Sequence, residues 1–161
     1  MGIYVKYGNI EGDATQQGFE GWVNCHHFGW SLGRDFAKDQ VGRAQNREAA
    51  QAHMDRCTLY KEVDHSSGQW LETATTDFKG QDCEIAFLRT GNPGAPYLRF
   101  KLTNALVATY VVTGTGGKER PIETITIDFT KVEIECKTLL ENNLDEETIR
   151  VHYDAATGEG G

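Results

Sequence analysis

The chain has 161 residues and a mass of 17.9 kDa, enough for one hydrophobic core and too little for two. Its 16 basic and 24 acidic residues give a net charge of −8, which excludes the basic stripe that nucleic acid requires and disfavours docking on anionic lipid. No stretch approaches the roughly 18 apolar residues that cross a bilayer, and the opening MGIYVKYGNIEGD lacks a basic start followed by an apolar run, so neither membrane insertion nor a secretory leader is expected.

A first strand is predicted over 3–7, with Ile3, Val5 and Tyr7 on one face. Gly8-Asn9 and Gly12-Asp13 then punctuate the chain. A second strand over 21–31 sets Trp22, Asn24, His26, Phe28 and Trp30 on one face and Val23, Cys25 and His27 on the other. Such mixed faces suit a curved sheet. Residues 33–56 are polar, charged and too long for a hairpin turn; they predict an extended loop with a short helix over 47–54, and loops of that length are usually functional or disordered.

The clearest helix begins near Ser66 and Ser67. Ser66 and Gln69 have capping-box spacing, Trp70, Leu71, Ala74 and Phe78 form one apolar stripe, and Gly80 is a natural C-terminal cap. The remainder reads as β. A strand over 83–90 and the turn Gly91-Asn92-Pro93-Gly94 lead into a long strand over 97–113, followed by the glycine-rich loop TGTGGK. Ile125, Ile127 and Phe129 alternate on odd positions, and Val132, Ile134 and Cys136 on even ones. That change of parity predicts a bulge near Thr130 and Lys131. Ile149, Val151 and Tyr153 offer one edge strand, and 154–161 reads as a frayed tail on a single 1–161 domain.

Chemistry finds little footing. The TGTGGKE run places Glu119 where a phosphate-binding loop needs Ser or Thr, and Val112 where it needs its first glycine. Cys25, His26 and His27, with His53 and Cys57, are the best metal candidates, but adjacent strand residues point to opposite faces, so a core or interface role is favoured over zinc. Four cysteines without a CxxC pair (Cys25, Cys57, Cys83, Cys136) read as reduced thiols, mostly buried. No nucleophile elbow surrounds Ser31, Ser66 or Ser67, and no carboxylate pair stands apart from solvated surface. No catalytic residue, metal or cofactor is therefore expected.

Several runs together resemble the haemolysin-coregulated protein (Hcp) family, which builds the inner tube of type VI secretion systems. They are IYVKYGNIEGD at the start, GWVNCHHFGWSLGR, LYKEVDHSSGQWL ahead of the helix, and YLRFKLTNALVATYVVTGTGGKERPIETITIDFTKVEIEC. The last holds an Arg-Pro-x-Glu run (Arg120, Pro121, Glu123) and a Phe-x-Lys end (Phe129, Lys131). The chain departs from the family pattern at Gly68, where proline is usual.

The resemblance implies a mainly β fold: a compact β-barrel of two packed antiparallel sheets with one short helix and the long extended loop. It implies a homohexameric ring that stacks into a tube, works with sheath and spike proteins, carries effector proteins in its lumen and leaves the cytosol through the apparatus. By position, Ser31 after Trp30 matches the family's inner-wall serine. The loop over 34–47 is the natural arm on a neighbouring subunit, with Arg34, Asp35, Phe36, Lys38, Asp39, Arg43 and Arg47 as the expected ring-interface residues. The alternative is a monomeric β-sandwich that binds carbohydrate on exposed Trp22 and Trp30.

Overall fold

The computed structural model describes residues 1–35, 51–90, 96–139 and 146–161. Strand β1 (Gly2–Tyr7) buries Ile3, Val5 and Tyr7 and exposes its alternate residues more. It lies between β2 (Val23–Cys25) and β7 (Gln81–Leu88), antiparallel to both. The long β8 (Pro96–Thr113) pairs with β7, and β10 (Lys131–Leu139) pairs with the first half of β8. Beyond β10 come β11 (Glu146–Asp154) and β12 (Glu159–Gly160), so one sheet runs β12-β11-β10-β8-β7-β1-β2. The second sheet consists of β3 (His27–Gly29), β6 (Cys57–Glu62), β9 (Ile122–Asp128) and the far half of β8. Apolar residues from both meet in one core around Tyr7, Leu59, Trp70, Ile85, Leu102, Ile125 and Ile127.

The chain passes from sheet to sheet at places where the inward parity changes. Val23 and Cys25 point inward on β2, the phase resets at His26, and Phe28 packs against the core from β3. The second predicted strand is therefore two strands in different sheets. Near Thr130 the expected bulge is likewise a passage: Ile125, Ile127 and Phe129 are buried before it and Val132 after it, with β9 in one sheet and β10 in the other. On β8 the matching corner falls at Asn104, whose φ is 56°. Gly80 backs onto that corner with φ 76°, and a Cβ there would stand 2.3 Å from Asn104 Oδ1. The two sheets share β8 on one side, but β2 and β3 are joined only through His26, so the expected barrel is not closed.

Helix α1 (Ser67–Thr76) buries Trp70 completely against Tyr7, with ring centroids 5.3 Å apart. The capping box does not form. Ser66 Oγ donates instead to Asp64 Oδ1 at 2.5 Å, a charged and so stronger partner, and Gln69 Oε1 accepts from the Glu11 amide at 3.1 Å. The apolar stripe is covered only in part: Trp70 is buried, but Leu71 is 52% exposed and Phe78 85%.

In the extended loop, β4 (Leu32–Arg34) pairs antiparallel with β5 (Ala52–Met54). Residues 52–54 of the predicted 47–54 helix are thus strand, held by that pairing and by Tyr153 Oη donating to the Ala52 carbonyl at 2.9 Å; 47–50 lie outside the described residues. Instead of fraying, the C-terminus turns at Gly158 and folds back on β11, with the Gly161 amide 2.9 Å from the His152 carbonyl.

Candidate functional site

Ser31 is exposed between β3 and β4, and its hydroxyl donates to the Asp55 carboxylate beside β5. Trp30 fixes that corner: its Nε1 donates to the Asp55 carbonyl at 3.1 Å while its ring packs against Phe100 and Phe129. Of the expected ring-interface residues, Arg34 and Asp35 are exposed at the end of the β4–β5 ribbon, where His53 Nδ1 lies 4.0 Å from Asp35. Phe36, Lys38, Asp39, Arg43 and Arg47 lie outside the described residues.

Cys25, His26 and His27 diverge. The Cys25 thiol turns inward, 3.0 Å from the His27 carbonyl and 3.1 Å from that of Tyr60, and burial pushes its pKa up to about 11. His26 faces Glu62 at 3.7 Å, and His27 stacks on Tyr60 with centroids 4.8 Å apart. The tryptophans that a sugar-binding surface would need are half-buried. Trp22 meets Phe19 edge-on, and Trp30 serves the Asp55 corner.

Two runs that carried the family resemblance meet inside the molecule as a polar cluster. Lys61 and Glu123 are register partners on β6 and β9, are 1% and 0% exposed, and form an ion pair. Lys61 Nζ also donates to Asp64 Oδ1 at 3.0 Å and to the Glu62 carbonyl at 2.8 Å. Tyr110 on β8 donates its hydroxyl to the other oxygen of Glu123. Asp64 in turn accepts from the amide and hydroxyl of Ser66, and Ser67 Oγ accepts from the Asp64 amide at 3.0 Å. Burial pushes the Asp64 carboxyl up, but hydrogen bonds from Ser66 and Lys61 outweigh it and hold the group below the usual carboxylate range. Burial and the Glu123 carboxylate push the Tyr110 phenol up. The cluster ties β6, β8, β9 and the start of α1 together beside the glycine-rich loop that joins β8 and β9. Sequence reasoning named Lys61 and Glu123 only as letters of family runs, and their separation of 62 positions hid the contact.

Comparison with known proteins agrees with this reading. The sequence model of the family described as "Type VI secretion system effector, Hcp" matches residues 4–136. Among solved structures, a type six secretion system protein is similar over 99% of both chains, with a TM-score of 0.88 and 21% identity. Hcp1 from Salmonella typhimurium also aligns over 99% of both chains, with a TM-score of 0.74 and 17% identity. A type VI secretion system effector from Yersinia pestis covers 94% of this chain and 98% of its own, with a TM-score of 0.71 and 18% identity. At these identities the structures establish a shared fold, and no curated protein sequence gives a significant match. The family match extends over most of the chain and includes both runs that build the buried cluster, so the chain belongs to the Hcp family of type VI secretion system effectors.

Proposed function

We propose that the chain is a structural subunit of the type VI secretion tube: it forms six-membered rings that stack, leaves the cell through the apparatus, and carries effector proteins in the lumen. It does no chemistry of its own. The observation that supports this most is the family match over 4–136, joined to a fold likeness that spans 99% of both chains. A ring is a heterologous assembly in which one pair of patches repeats at every junction until the rotation closes. Arg34 and Asp35, exposed at the end of the β4–β5 ribbon, fit the charged part of such a junction, where mixed charge gives register more than affinity.

Ser31 belongs to the cargo-facing wall in this reading. It is exposed, small and held by Asp55, leaving room and an acceptor for a cargo donor. Light scattering after size exclusion, with negative-stain imaging of the peak, tests the assembly. A ring-sized particle with an open centre is expected, and a monomer at micromolar concentration would count against the proposal. Ser31→Arg should then abolish co-purification of a cargo effector while leaving the ring peak in place. Normal loading by that variant would remove Ser31 from the wall.

A further inference from the structure

The β10–β11 hairpin has two unlike faces, because directly opposed residues of an antiparallel pair share a side. One face carries Glu133 opposite His152 and Glu135 opposite Arg150, with Arg150 Nε 2.8 Å from Glu135. The other carries Val132 opposite Tyr153, Ile134 opposite Val151 and Cys136 opposite Ile149. Such alternation marks a sheet that is covered on one side. Among the described residues the chain's own core covers this face only in part: Val132 is buried and Ile134 and Tyr153 pack against the core, whereas Val151 and Ile149 are 46% and 49% exposed. Leu32 on β4, 45% exposed, adjoins the same face, and a cleft of about 280 Å³ between Trp30, Leu32, Ile134, Val151 and Tyr153 lies open.

We propose that a second copy of the chain covers this face, which forms the apolar centre of the contact between neighbouring subunits. The inference rests on the ring reading above. Every copy bears the bare face, and in a tube built from copies the partner present once per face is the next copy. Leu32 leads directly into Arg34 and Asp35, so the apolar patch adjoins the charged residues assigned to the junction, as an interface core adjoins its rim. Chains of net charge −8 repel one another, and a contact centred on uncharged side chains avoids burying like charges together.

Val151→Glu tests the assignment, with Phe78→Glu on the exposed side of α1 as its comparison. If wild-type protein gives the ring peak, Val151→Glu should lose it and elute as a folded monomer, while Phe78→Glu keeps it. Cys136 is a native reporter, half-buried on the same face, whereas Cys25, Cys57 and Cys83 are buried in the core. Iodoacetamide should leave Cys136 unmodified in the wild-type ring and alkylate it in the Val151→Glu monomer. Should Val151→Glu fail to fold, wild-type protein diluted to monomer takes its place, and Cys136 should be alkylated there and protected in the ring. Rings formed by Val151→Glu, or Cys136 alkylated within intact wild-type rings, overturn the inference and leave the ring reading standing. A wild-type chain that stays monomeric overturns both.

Discussion

Lys61 is buried with its Nζ bound by carboxylates from two other positions, Asp64 and Glu123, together with the Glu62 carbonyl. Removing one member of such a set leaves an uncompensated buried charge, which costs about 3–5 kcal/mol. Lys61→Met should therefore lower the denaturant midpoint sharply. Adding Glu123→Gln should return part of the loss, because the stranded carboxylate is then gone; an additive double variant would show that the two side chains do not couple. Acid acts on the same cluster. Asp64 titrates lower folded than unfolded, so its contribution is complete above the ordinary carboxylate pKa of about 3.9. It is lost as pH falls through the folded value. Stability measured by chemical denaturation should fall below about pH 4, and Asp64→Asn should flatten that acid limb while lowering stability at neutral pH.

At the scale of elements, what the sequence disclosed is what a single dry face imposes. Alternation in β1 and β9 was legible because Ile3, Val5 and Tyr7, then Ile125 and Ile127, recur every second residue on the buried side; Ile149, Val151 and Tyr153 of β11 recur likewise, though only Tyr153 packs against the core. The corner near Thr130 was legible only as a change of parity, and the one at His26 only as mixed faces on what read as a single strand. A sequence records that the inward face flips, and is silent on which strand each half then joins. Helix α1 shows the opposite error. Ser66 and Gln69 have the spacing of a cap, yet Asp64 and the Glu11 amide claim their side chains, and tertiary partners of this kind lie beyond local pattern. Gly68 is a weakness that the sequence did reveal. It sits inside α1 with nothing within 4 Å of a Cβ, so Gly68→Ala should stabilise the chain by about 0.5–1 kcal/mol. That corresponds to roughly 1–4 °C in a thermal melt for a chain of this size; an unchanged or lowered midpoint would mean the helix start depends on glycine for a reason other than space.

For the whole molecule, charge sets the terms on which copies can meet. In the proposed ring, six subunits at −8 would carry about −48, and that repulsion would act between stacked rings over distances that salt controls. The screening length falls from about 30 Å at 0.01 M ionic strength to about 10 Å at 0.1 M. Junctions within a ring that are centred on uncharged side chains feel this change little, whereas the approach of one ring to the next feels it fully. Raising salt from 0.01 M to 0.1 M (about a threefold shorter screening length) should therefore drive rings into longer stacks while ring diameter stays constant, as seen by sedimentation velocity with imaging of the same samples. Stacks that fall apart on adding salt would require the reverse physics, with opposite charges paired across the ring–ring contact. The exposed Arg34 and the acidic groups at the ends of β6 and β9, half-exposed Glu62 and exposed Asp128, would then be the first side chains to neutralise.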